Sequence, residues 1–265
     1  MNQRSKCKIW QLTISACVAL VYLTFGGQAR SQTFTQTGVV LLSQNPNNTS
    51  STQNLSAAQV FRNAYDNRYT WDSKFPGYTA AVELKYGKET YKGRVRVNPD
   101  MSVEVTGIDQ KEPRQIVENS LGMMLTHRRR VPFDKAHKNS NFKYGTANQS
   151  GSVEIIQQQG KTEARYQVSE NQLKQVNRSM GNMAVTVDVL NSQKTSAGYL
   201  PTRYRTTFRN PKSQEVLGVE DSEDNFEKIG GYYVLTRQII KDFQQDKLIN
   251  GAEFHYTDVQ LLSNS

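Results

Sequence analysis

Tyr78-Thr79-Ala80-Ala81-Val82-Glu83-Leu84-Lys85-Tyr86 decides the fold. Tyr78, Ala80, Val82, Leu84 and Tyr86 alternate with Thr79, Ala81, Glu83 and Lys85, the two-residue period of a strand with one dry face and one wet face. Gly87-Lys88 turns the chain, and Tyr91, Val95 and Val97 then alternate with Lys92, Arg94 and Arg96. Asn98-Pro99-Asp100 turns it again before Met101, Val103 and Val105. Three strands joined by short turns form an antiparallel meander.

Upstream, the period changes to that of a helix. Ser56 is placed to cap it, with Gln59 completing a capping box, and Ala57, Val60, Phe61, Ala64, Tyr65 and Arg68 form one stripe. Downstream, Asp109 reads as the cap of a second helix with Glu112 in its first turn. Ile116, Val117, Leu121, Met124 and Leu125 are its apolar stripe and Pro132 its stop. Strand patterns then run near 141–146, 152–157, 163–168, 172–178, 183–190, 202–209, 215–220, 224–229, 232–242 and 251–262. Turns are expected at Ser150-Gly151, Glu170-Asn171, Asn210-Pro211, Gly230-Gly231 and Asn250-Gly251. About a dozen strands against two helices make a β-rich α+β domain. The economical solution is a curved antiparallel sheet or open β-barrel, its helices against one face.

The N-terminus reads as an export segment. Arg4, Lys6 and Lys8 precede an uncharged run from Ile9 to Phe25, and small residues allow cleavage after Ser31 or Ala29. The alternatives are an uncleaved anchor helix and, through Ile14-Ser15-Ala16-Cys17, a lipoprotein signal. Residues 1–31 are thus a signal peptide, 32–54 a polar tether rich in Thr, Ser, Asn and Gln, and 55–263 a single domain. The expected destination is the periplasm or thylakoid lumen, or a membrane if the N-terminal helix stays.

The 265 residues carry a formal charge of +9, but residues 1–31 hold four basic groups and no acidic one, which leaves +5 after cleavage. So small a surplus removes most compositional support for nucleic-acid binding. The only two cysteines, Cys7 and Cys17, fall in the export segment, and the three histidines lack metal-ligand spacing. No metal, cofactor or catalytic residue is assigned, since neither a Walker sequence nor G-x-S-x-G is present.

His127-Arg128-Arg129-Arg130 is the densest charge cluster, at the end of the second helix. Basic groups there complement the helix dipole. Successive helical positions differ by about 100°, so Arg128, Arg129 and Arg130 cannot share a face and at least one turns inward. Glu220, Asp221, Glu223, Asp224 and Glu227 are the candidate partners, in an acidic run between two strand signals, with Arg129–Glu223 the pair singled out. The rival role for the arginines is contact with an anionic headgroup. Two aromatic groups, Tyr65 to Tyr86 and Tyr199 to Tyr256, suit core packing or the wall of an apolar cavity.

Four stretches are similar to a known family. They are Ala64–Asp72 with Phe75-Pro76-Gly77-Tyr78, His127–Arg130 with Pro132-Phe133, Gly198-Tyr199-Leu200-Pro201 with Arg203-Tyr204, and Gly230-Gly231-Tyr232-Tyr233-Val234-Leu235. Together they resemble the cyanobacterial domain-of-unknown-function 3386 family over about Leu55–Leu262, a resemblance that implies no catalytic residues. Most of that family's members lack an export signal, so residues 1–54 depart from its pattern. The order of elements also looks like the LolA/LppX type of open barrel, which carries acyl chains of lipoproteins.

These readings converge on an exported, non-enzymatic binding protein for a lipid or other hydrophobic ligand. Arg128, Arg129 and Arg130 would stand near an anionic headgroup, and Val82, Leu84, Val95, Val103 and Leu125 would line the cavity. The alternative is an assembly or scaffold factor with a filled core, working through its surface on a membrane or protein partner. Close packing around those five apolar residues favours the second.

Overall fold

The computed structural model describes residues 55–147 and 151–263. The expected export segment, the tether over residues 32–54 and Ser150 of one expected turn lie outside them.

The chain forms α1 (Ala57–Asp66), then the meander β1 (Tyr78–Tyr86), β2 (Glu89–Val97) and β3 (Val103–Thr106). It continues through α2 (Lys111–Arg128) and a single turn, α3 (Phe133–Ala136). Nine further strands follow: β4 (Ser140–Ala147), β5 (Val153–Gln159), β6 (Thr162–Ser169), β7 (Gln172–Met180), β8 (Met183–Thr195), β9 (Gly198–Arg209), β10 (Val216–Ile229), β11 (Tyr232–Gln244) and β12 (Lys247–Leu261). All twelve share one antiparallel sheet in the order β3-β2-β1-β12-β11-β10-β9-β8-β7-β6-β5-β4. The sheet is therefore a sequential meander from β4 to β12 that ends by pairing with β1. It stays open between β3 and β4, the stretch of chain that holds α2 and α3.

Local chemistry sets these elements. The Ser56 hydroxyl accepts from the Gln59 amide while the Gln59 side chain accepts from the Ser56 backbone N–H, so the capping box forms as the sequence predicts. On β1, Tyr78, Ala80, Val82 and Leu84 are buried on one face. The second helix begins later than expected: Gln110, not Asp109, is its N-cap, and no side chain caps it. Pro113 sits in its first turn, where the missing N–H costs nothing because that donor would have no partner inside the helix. The two strands expected over 215–220 and 224–229 are one continuous strand, β10. The inward Glu220, Ser222 and Asp224 break the apolar alternation on which the sequence reading depends. The backbone ladder is indifferent to them, because β9 and β11 pair it from both sides.

Helix coverage decides where the core lies. Twelve strands about 4.8 Å apart make a sheet roughly 55 Å wide, while each helix is only about 10 Å across. α1 packs Phe61, Ala64 and Tyr65 on Ile155, Tyr166 and Val168 of β5 and β6. α2 packs Val117, Leu121, Met124 and Leu125 on β1, β2, β11 and β12. Two separate cores result, and the inner face of β7 to β10 between them has no helix pressed fully onto it.

A strap at residues 64–72 ties these parts together. The Tyr69 amide donates to the Tyr199 carbonyl and the Trp71 amide to the Arg128 carbonyl, each at 2.8 Å. The Trp71 indole donates to the Tyr233 carbonyl at 3.1 Å. Gly198 approaches this strap so closely that a Cβ there would sit 2.2 Å from the Asn67 carbonyl oxygen, at a φ of +122° that other residues avoid.

Candidate functional site

The uncovered strands and the flank of α2 enclose a cavity of about 790 Å³, within the range of sites that bury a small organic ligand. α2 contributes a second stripe at helical spacing, Glu112, Ile116, Asn119, Met123 and His127, beside its core-facing stripe. Glu112 and His127 both line the cavity, and at 1.5 Å per residue they stand about 22 Å apart along the helix. The space is elongated.

Strand register lays out its floor. One row of paired residues crosses the sheet as Asn250, Asp242, Glu220, Thr206, Val187 and Val176, each on the next strand from β12 to β7. The row is polar over four strands, β12 to β9, and apolar over the last two, β8 and β7. Val185 and Val189 flank Val187 on β8, and Phe208 adds a ring from β9. Most of the surface is hydrocarbon, with polar groups at a few positions.

Arg128 is the most unusual of these. It is 4% exposed, its Nε has no hydrogen-bond partner, and Nη1 makes only long bonds to the Tyr69 and His127 carbonyl oxygens, at 3.5 and 3.4 Å. Its guanidinium carbon lies 5.1 Å from the Phe226 ring centre. Burial pulls its pKa down to about 10, and Asp224 opposes that pull without forming an ion pair. Arg68, stacked 3.8 Å over Tyr65, and Arg178 also line the cavity. Their charges reach His127 and His137, whose pKa values fall to about 3 and about 4, chiefly through loss of water. Both imidazoles are therefore neutral at physiological pH. The Tyr166 hydroxyl donates to Gln157 Oε1, so the Gln157 amide donates to Ser140 and to His137 Nδ1. That network puts the His137 proton on Nε2, which has no partner.

Opposite these cations, burial lifts Asp224 and Asp242 to about 6 each, and burial with the Asp242 charge lifts Glu220 to about 7. Asp224 accepts from Gln238 at 2.8 Å. Among the described residues no ion pair reaches Glu220, Asp224 or Asp242, and no three metal-binding side chains gather.

The expected site residues divide. Of the three arginines only Arg128 reaches the cavity; Arg129 and Arg130 are exposed, and Arg129 donates to the Asp100 carbonyl at 2.6 Å rather than pairing with Glu223. The helix ends at Arg128, and the extended backbone of Arg129 leads the chain away from it. Val82, Leu84, Val95 and Leu125 are buried in the close-packed core under α2, with Val103 partly buried against it, and none lines the cavity. Val82 and Val187 both point inward by strand alternation; the helix above Val82 is what turns its surroundings into core. Among the aromatics, Tyr65, Tyr86, Tyr199, Tyr204, Phe208 and Phe254 do line the cavity, whereas Trp71, Phe75 and Tyr78 are core. Arg68, Arg178, Val187 and Asp242 were not expected as site residues, and Glu220 was expected only as an ion-pair partner of the arginines, although more inward-facing strands than two helices can cover is a signal for such a space.

The model of a protein family described as "Protein of unknown function (DUF3386)" matches residues 52–262. The chain belongs to this family. Solved structures similar to this DUF3386 protein include a LolA superfamily protein from Nitrosomonas europaea, at 11% identity and a TM-score of 0.26, covering 80% of this chain and 96% of that one. A DUF1329 family protein from Desulfovibrio piger is similar at 9% identity and the same TM-score, covering 78% and 93%. MucB, solved in complex with MucA(peri), is similar at 6% identity and a TM-score of 0.17, covering 77% and 99%. No curated protein matches. Superpositions this loose leave the functional argument to the chain's own residues. In the structure, the first and third family-like stretches form the strap and its seat, Tyr69 on Tyr199 and Asn67 on Gly198, while the second supplies Arg128.

Proposed function

We propose that this DUF3386 protein is an exported, non-enzymatic binding protein that carries an amphiphilic ligand in the cavity. The apolar body of the ligand lies across Val176, Val185, Val187 and Phe208, and its anionic head meets Arg128, Arg68 and Arg178. The observation that carries this reading is Arg128 itself. A guanidinium held out of water without an ion pair is costly to the fold, and an anion in the cavity would offset that cost. Export is supported by the layout of residues 1–31, which lie outside the described residues. Among the described residues no helix is long and apolar enough to cross a membrane.

The test is native mass spectrometry of residues 32–265 expressed into a periplasm. Extra mass that organic extraction removes is the expected result, and its identity names the ligand. A bare chain mass, unchanged after incubation with host lipids, would overturn the reading in favour of a scaffold acting through its surface.

A further inference from the structure

We infer that the cavity holds a second polar subsite, formed by Glu220, Asp242 and Asn250, that receives a protonated amine of the ligand. The inference rests on the cavity being a ligand site and adds a chemical requirement to it.

The three side chains stand in one row on β10, β11 and β12, paired directly with one another in register. On neighbouring strands, same-face side chains at paired positions are about 5 Å apart, so two carboxyl groups and a carboxamide are held side by side. Glu220 lies four residues along β10 from Asp224, about 13 Å at the rise of a strand, which separates this end of the cavity from Arg128 and its neighbours. Asp242 is only 3% exposed, lines the cavity, and leaves Oδ1 without a hydrogen-bond partner. Nothing basic answers it: burial alone acts on Asp242, and the charges acting on Glu220 are those of Asp242, Asp224 and Asp221. The hydrogen-bonding neighbours here are neutral, namely Ser222 donating to Glu220 at 3.3 Å and Asn250 donating to the Tyr86 hydroxyl at 3.4 Å.

Two adjacent carboxylates in a cavity repel each other and accept hydrogen bonds only. The complementary group is a compact cation with several N–H donors. Two carboxyl groups and one amide fall short of the six to eight oxygens that calcium takes, and no metal-holding group of side chains occurs among the described residues. An ammonium group needs only two or three acceptors on one side, which this row supplies. A ligand spanning the cavity would then present its acidic group to Arg128 and its amine to Glu220 and Asp242.

The test compares decylamine, decanol and decanoate by titration calorimetry on the chain lacking residues 1–31, at about pH 8, where the amine is charged and both carboxyl groups are largely ionised. Decylamine is expected to bind at least about tenfold more tightly than decanol, the difference one charge-assisted contact makes. E220Q/D242N should remove that preference while leaving decanoate affinity within about twofold, and D242N alone should reduce it, which covers failure of the double variant to fold. Decylamine binding no better than decanol, or a preference that survives both variants, would overturn the inference while decanoate binding leaves the carrier reading standing. Binding of none of the three would overturn both.

Discussion

Replacing Arg128 by Met should make the protein more stable and worse at binding. Burial draws the Arg128 pKa from 12.5 to about 10, so holding the charge inside costs about 3 kcal/mol relative to water. Both folded and unfolded states carry that charge below about pH 9, so the deficit is constant across the physiological range. Methionine has similar length and no charge, and recovers most of this term. Against it stand the stacking on Phe226, about 1 kcal/mol, and two hydrogen bonds at 3.4 and 3.5 Å that are too long to contribute much. The net gain is about 1–2 kcal/mol, or roughly 3–6 °C in Tm for a domain of this size. Calorimetric unfolding of R128M reads the gain, and decanoate titration of the same preparation should show an affinity loss of about tenfold or more. A variant that unfolds more than about 2 kcal/mol more easily would refute the reasoning, because it would show the guanidinium to be a satisfied structural group.

Stability should also fall as pH rises. Burial raises Glu220 from 4.5 to about 7 and Asp242 from 3.8 to about 6, so between about pH 4 and 7 the folded chain binds protons that the unfolded chain has released. E220Q/D242N should flatten that slope, gaining about 2–3 kcal/mol near pH 8 and nothing near pH 4 in denaturant titrations; an unchanged slope would place the linkage elsewhere. Gly198→Ala forces a Cβ onto the Asn67 carbonyl at a positive φ and should cost about 3 kcal/mol, read by the same titration. Val187→Trp should fill the cavity and abolish ligand binding while the circular dichroism spectrum keeps its β signature, since Val187 borders open space rather than packed core.

Local patterns carried much of this architecture. Tyr78 to Val97 alternates so regularly that β1 and β2, their facing and their turn follow from it, and Ser56 with Gln59 marks the first helix. Two kinds of information were missing. Alternation shows that Val82 and Val187 face inward but says nothing of what lies above them, which depends on where helices remote in sequence come to rest. Helical positions about 100° apart require one arginine of 128–130 to turn inward. Which one turns depends on the helix ending at Arg128, where the Arg128 carbonyl accepts from the Trp71 amide. The acidic stretch of β10 hid a single strand for a related reason: its inward carboxyls serve an interior that is not a packed core.

The pairing of β1 with β12 sets the order in which this molecule can assemble. Every neighbouring pair from β4 to β12 is a hairpin between consecutive strands and can form as soon as its second strand leaves the ribosome. β1 is different. Its partner is about 170 residues downstream, and closing so long a loop costs roughly 2–3 kcal/mol more than closing a hairpin. The β1–β3 meander is thus synthesised before every other strand and seated last, its β1 edge unpaired throughout the interval. A holding chaperone that binds such edges would find its target in Tyr78–Val97, and any change that weakens the β1–β12 seam would lengthen the time that target stays open.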